Sequence, residues 1–123
     1  MSGPPKKSSA VRVLVVDDYR PITQFLVTTW CEEGYDARAA FSAAEALAVM
    51  EIWEPHAVIA DAMLPDSDGW TLGAEMERRC PGCKVLLMSA AVHMHHPPQG
   101  APRYRIVPKA EVMDEFPEFL GSE

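Results

Sequence analysis

Residues 11–18 read VRVLVVDD: a six-residue run, five of whose members are valine or leucine, ends in two aspartates. A short β-rich apolar run of this kind reads as a strand. Working outward from it, Pro21 can open a helix, because the first turn does not need its missing N–H. Ile22, Phe25, Leu26 and Thr29 follow at helical spacing, and Gly34 can end the helix. Residues 35–39 form a weaker second strand. Ser42 and Glu45 fit a capping box, opening a helix that runs through Ala46, Leu47, Val49 and Met50 toward Trp53, with Pro55 ending it. AVIA at 57–60 is a short buried strand that delivers Asp61, and MLPDSDG at 63–69 follows as a loop. A helix over 70–79 ends in Arg78 and Arg79, which suit its dipole. Pro81 and Gly82 turn the chain into strands at 84–89 and 104–107. A last helix spans 111–120 and is interrupted by Pro117. Alternating strands and helices predict a parallel sheet with helices on both faces and right-handed crossovers.

The chain has 123 residues and a formal charge of −7, with 48% hydrophobic and 24% charged residues. That is one soluble globular domain by size and composition. The acidic balance argues against a large nucleic-acid footprint, which needs a basic face. The longest apolar runs, 13–16 and 85–88, fall far short of the ~20 residues of a membrane span. MSGPPKKSS lacks an apolar core for a signal peptide, so residues 1–10 are expected to be a disordered tail and the protein cytoplasmic. Its three cysteines would then be reduced.

Ligands of such sheets bind beyond the carboxyl ends of the strands, where strand order reverses. Asp17 and Asp18 follow the first strand, Asp61 ends the third, Ser89 ends the fourth and Lys109 comes just after the fifth. In the flavodoxin-like order 2-1-3-4-5 the first and third strands are neighbours, so three carboxylates would share one cleft. Like charges that close do not all ionise cheaply. A divalent cation resolves this, and hard oxygen ligands suit Mg²⁺. Lys109 adds a cation, Ser89 a hydroxyl donor, and a carboxylate can act as nucleophile; together these are parts for phosphoryl transfer.

With these residues in place, the chain resembles the receiver domain of two-component response regulators. The resemblance rests on VLVVDD (13–18), DAMLPDSDG (61–69), MSA (88–90) and VPK (107–109), in order and at suitable spacing, and extends over about 11–120 as one receiver domain. It implies a doubly wound five-stranded α/β sheet. Asp61 would be the phosphoacceptor. Asp18, Asp61 and the Met63 backbone carbonyl would ligate Mg²⁺, and Asp17 would hold a metal-bound water. Lys109 would pair with the phosphoryl group or with Asp61, Ser89 would hydrogen-bond a phosphoryl oxygen, and Ala90 would leave that group room. Met63 and Ala91 occupy positions at which the family tunes the lifetime of its aspartyl phosphate. The donor would be a histidine kinase or a histidine phosphotransfer protein, and the output a contact with a downstream protein. A monomeric signalling module is expected rather than an enzyme, with no nucleic-acid or membrane partner.

Three features depart from the family pattern. The family usually has proline after its lysine, in a cis peptide; here Pro108 precedes Lys109 and Ala110 follows. A cis bond at Lys109–Ala110 would cost ~2.5–4 kcal/mol without proline, so the reach of Lys109 does not follow from the pattern. Ile106, not an aromatic, stands three residues before that lysine, and Tyr104 five before. The connection AAVHMHHPPQGAPR (90–103) carries three prolines, so the fourth helix is expected to be short or absent.

Other clusters have simpler explanations. Residues 66–69 suit a turn and helix N-cap rather than further metal ligands. Cys80 and Cys83 match C-x-x-C, which can be redox-active or half a zinc site, but Pro-Gly between a helix and a strand is expected to be a tight turn. His93, His95 and His96 could bind a transition metal, but suit a solvated loop. A zinc site shared with the cysteines is not expected, because the six residues of strand four separate its ends by about 20 Å. Trp30, Met50 and Trp53 suit packing. The rival functions are a phosphorylation-independent binding module with a vestigial acidic site, a thiol oxidoreductase using Cys80 and Cys83, and an aspartate-based phosphatase.

Overall fold

The computed structural model describes residues 10–92 and 95–121. Residues 1–9 of the expected tail at 1–10, and His93, lie outside the described residues. The order is β1 (Arg12–Val16), α1 (Arg20–Glu32), β2 (Asp36–Ala40), α2 (Ala43–Ile52), β3 (Ala57–Asp61), α3 (Gly69–Arg79), β4 (Lys84–Ser89) and β5 (Arg105–Pro108). A 3₁₀ turn (Lys109–Glu111) then leads into α4 (Val112–Gly121). All strand pairs are parallel, in the order β2-β1-β3-β4-β5.

Side chains alternate across a strand, and here both faces are covered. Val13, Val15, Ile59, Leu86 and Met88 pack with Leu26 and Trp30 of α1 and Phe116 of α4. Leu14, Val16, Val58, Ala60 and Leu87 pack with Ala46 and Met50 of α2 and Leu72 and Met76 of α3. The near-continuous apolar strands are what a sheet buried on both faces requires.

Helix α1 takes Pro21 in its first turn as expected, but its buried stripe is Thr23, Leu26 and Trp30. Phe25, expected on the apolar face, is 58% exposed. The stripe turns toward Trp30, whose ring lies 4.5 Å from that of Phe116. In α2 the Ser42 hydroxyl accepts from the Glu45 amide at 3.1 Å, while Glu45 reaches back to the Phe41 amide at 2.9 Å. Asp68 caps α3 by accepting from the Thr71 amide at 2.8 Å. Asp66 caps a different helix: its two oxygens accept the Ala43 and Ala44 amides of α2, each at 2.9 Å. These donors hold its carboxyl below the usual carboxylate range. Gly69 lets α3 start hard against β3, since a Cβ there would lie 2.7 Å from the Asp61 carbonyl oxygen.

Among the described residues, no α-helix joins β4 to β5. Pro98 and Ala101 close a turn at 3.0 Å. Pro98 and Pro102 line a groove of about 510 Å³ with Leu47 of α2 and Trp70 and Ala74 of α3. Tyr104 lies against Gly73, where a Cβ would approach its ring to 2.8 Å, and its hydroxyl donates to Glu77. Burial and the Glu77 carboxylate both push that phenol's pKa up.

Pro117 does not break the last helix; it sits inside α4 on the exposed side. Val112 and Phe116 are fully buried on the other side, and that packing outweighs one lost backbone hydrogen bond. The Lys84 ammonium donates to the carbonyls of Phe119 (3.4 Å) and Leu120 (2.8 Å), answering orphan acceptors at the helix end. Cys80 and Cys83 form the expected turn, with the Cys83 amide donating to the Cys80 carbonyl at 3.1 Å. Burial, then the neighbouring Cys80 and Glu77 charges, push the Cys83 thiol up to about 12, where little reactive thiolate forms. No helix of the described residues is long and apolar enough to cross a membrane.

Replacing Phe116 with alanine removes the ring that joins α4 to Trp30. Phe116→Ala is expected to lower unfolding free energy by about 3–5 kcal/mol, read from the urea midpoint at unchanged slope. A loss below about 1 kcal/mol would contradict that anchoring role.

Candidate functional site

The sheet register builds the site. Val16 is level with Ala60, so Asp17 and Asp61 come next side by side. Asp61 is level with Met88, which places Ser89 one step beyond. Ser89 is level with Pro108, which places Lys109 one step beyond that. The residues proposed from sequence thus converge at the carboxyl edge of the sheet, where β1 and β3 meet at the reversal of strand order.

Asp17, Asp18 and Asp61 each offer an oxygen within 4.8 Å of the others. Asp17 is fully buried, Asp61 nearly so and Asp18 exposed. The Lys109 ammonium bridges two of them, 2.7 Å from Asp17 Oδ2 and 2.9 Å from Asp61 Oδ2. The peptide bonds of the described residues are trans, so Lys109 reaches the carboxylates without the family's proline. The remaining oxygens are held by the backbone: the Tyr19 amide donates to Asp17 Oδ1 at 3.0 Å and the Met63 amide to Asp61 Oδ1 at 3.2 Å.

Burial raises the Asp17 pKa, the Asp61 charge adds to this, and the Lys109 and Tyr19 contacts only partly offset it. Burial alone would lower the Lys109 ammonium, but contact with Asp17 and Asp61 outweighs it and the pKa rises. Asp17 Oδ2 has no hydrogen bond of good angular geometry, although the ammonium lies close. A buried carboxylate oxygen aimed into a cleft with two further carboxylates is a donor set that suits a small hard cation. Three carboxylates against one ammonium leave two negative charges for such a cation to neutralise.

Ser89 is buried, and its hydroxyl accepts from the Ala91 amide at 3.0 Å. Ala90 is exposed beside it. Met63 is exposed, on the loop that leaves Asp61 and closes through a bridge to Asp68. Ile106, three residues before Lys109, packs against the α2–α3 core. Among the described residues, neither His95 and His96 nor Cys80 and Cys83 join a group able to share a cation. Two contributors lie outside the expected set of site residues. Asp66 ties the loop after Asp61 to α2, a contact no local pattern announces. The Thr23 hydroxyl lies 3.0 Å from the Asp17 carbonyl and 3.0 Å from that of Tyr19. Its burial was detectable, because residues 23, 26 and 30 share one helix face.

A model of the response regulator receiver domain matches residues 13–101. The chain belongs to this family. Receiver domains are signalling modules of two-component systems. The transcriptional regulatory protein TcrA of Mycobacterium tuberculosis is 33% identical over 82 residues, 67% of this chain and 32% of that protein. The match therefore spans about a third of the length of the curated relative. The Thermotoga maritima response regulator TrrA, solved in complex with Mg²⁺–BeF, superposes with a TM-score of 0.75 at 28% identity, covering 89% of this chain and 96% of that one. The receiver domain of the Francisella response regulator 1452 is 32% identical at a TM-score of 0.59, covering 65% of this chain and 66% of that one. This receiver domain keeps an acidic pocket at the sheet edge, with Lys109 set into it from beyond the region matched by the family model.

The Asp17 carboxyl is expected to titrate above 3.8 in the metal-free protein, measured by ¹³C NMR of the side-chain carboxyls. Lys109→Met should move it higher still, since the ammonium lowers it; a downward move would contradict the contact. The folded state then binds this proton more readily than the unfolded state. The Asp17 contribution to stability is accordingly fullest below 3.8 and falls as pH rises through the folded value.

Proposed function

We propose that this receiver domain accepts a phosphoryl group on Asp61 from a phosphohistidine, in a histidine-to-aspartate phosphorelay dependent on Mg²⁺. What chiefly supports this is the Lys109 ammonium bridging Asp17 and Asp61 at 2.7 and 2.9 Å, within a group of three carboxylates. Asp18, Asp61 and the Met63 carbonyl would hold the metal, and Asp17 a metal-bound water. Bound there, Mg²⁺ supplies positive charge to the phosphoryl oxygens as bonds rearrange. An Asp61 carboxylate oxygen forms the new bond to phosphorus. The bond to the donor's imidazole nitrogen breaks, and its electron pair leaves with that nitrogen. The Lys109 ammonium meets charge on the transferred group, and the Ser89 hydroxyl can turn from the Ala91 amide to donate to a phosphoryl oxygen. Ala90, with a single methyl, leaves that approach open.

The donor is a histidine kinase or a phosphotransfer protein, and the product state acts by contact with a downstream protein. The domain spans residues 11–120, works in the cytoplasm as a monomer, and catalyses only its own phosphorylation and dephosphorylation. A phosphorylation-independent role with a vestigial pocket draws support from the replaced helix between β4 and β5.

Intact mass after incubation with acetyl phosphate and Mg²⁺ separates the two. One added phosphoryl group is expected, lost in Asp61→Ala and without metal. An unmodified mass on folded wild-type protein would favour the vestigial site.

A further inference from the structure

Thr23 lies in the first turns of α1 with a fully buried side chain. Its single hydroxyl proton is within reach of two carbonyls, Asp17 and Tyr19, both at 3.0 Å. A threonine bonded only to the carbonyl four residues back is an ordinary helical contact. The bond six residues back, to Asp17, is not. These two carbonyls bracket Asp18 on either side. The same corner is closed from within by the Tyr19 amide on Asp17 Oδ1 (3.0 Å) and tied to β2 by the Asp17 amide on the Ala40 carbonyl (3.1 Å). Tyr19, the residue at the N-cap of α1, makes no side-chain capping bond. The Thr23 hydroxyl therefore gathers the strand-to-helix corner that an N-cap side chain would otherwise organise.

We propose that Thr23 is a positioning residue of the acidic pocket. Its hydroxyl sets the Asp17–Tyr19 corner, and so the placement of the Asp17 and Asp18 carboxylates toward a divalent cation. This rests on the reading above that the pocket takes Mg²⁺. Thr23 touches neither the metal nor a reacting atom. Valine is similar in size but sets a methyl against the two carbonyls, whereas serine keeps the hydroxyl and loses only the methyl, so the pair separates the packing contribution from the positioning one.

Mg²⁺ affinity, measured by titration calorimetry with MgCl₂ alone, and metal-free stability in urea are compared across wild type, Thr23→Val and Thr23→Ser. Thr23→Val is expected to bind Mg²⁺ about tenfold or more weakly, in the range seen when a group supporting a metal ligand is removed. Thr23→Ser should restore affinity to within about threefold of wild type. Equal affinity in Thr23→Val and wild type would overturn the inference and leave the metal reading intact. Equal weakening in both variants would overturn it as well, tracing the effect to packing. Should wild type itself bind no Mg²⁺, the metal reading fails and the inference with it. If Thr23→Val does not fold, Thr23→Ala against Thr23→Ser makes the same comparison.

Discussion

Crowding of like charge at one edge of a sheet is the constraint from which the site and its supports follow. Three carboxylates within 4.8 Å, one fully buried, repel each other and lose hydration. Nothing local in the chain would hold them together. The parallel register does so, because Val16 and Ala60 are level and an aspartate follows each. That register is held by two apolar faces covered by α1 with α4 and by α2 with α3. Lys109 then relieves part of the repulsion from a third direction, carried in by the end of β5. The core's stabilisation is in this sense what keeps a locally unfavourable cluster in place.

The connection between β4 and β5 is where this chain departs from the family pattern. Between β4 and β5, the proline-bearing segment lies along α3. Tyr104 packs on Gly73 and its hydroxyl is bonded to Glu77. Glu77 is eight residues from the start of α3, which at 1.5 Å per residue is about 12 Å from the pocket end of that helix. The ring is therefore engaged far from Ser89, and Ile106 stands at the position where the family often carries its aromatic. In this chain no aromatic ring stands three residues before Lys109.

Much of this was legible in the residues, for identifiable reasons. Strand runs and caps are local: VRVLVV followed by aspartates, Ser42 with Glu45, and Pro-Gly between Cys80 and Cys83 carry their own geometry. The pocket followed because strand ends and topology place Asp17, Asp61, Ser89 and Lys109 together once the order is known. What escaped was contact between segments distant in sequence. Asp66 looked like part of its own turn, yet it caps a helix 22 residues earlier. Spacing alone puts Phe25 with Ile22, Leu26 and Thr29 on the α1 apolar face, whereas Trp30 takes the space beside Phe116 and turns the helix accordingly. Pro117 looked like a break because propensity cannot count the burial of Val112 and Phe116.

The shortness of β5 has a consequence for crowded solution. It is an outermost strand of four residues, and its last, Pro108, carries no N–H. An extended polypeptide seeking to prolong the sheet would find few donors there and one position with none. Arg105, at the other end of β5, is drawn toward Glu115 and Glu118 of the neighbouring helix, adding charge along that border. The β5 border of the sheet is thus poorly suited to templating intermolecular β-structure.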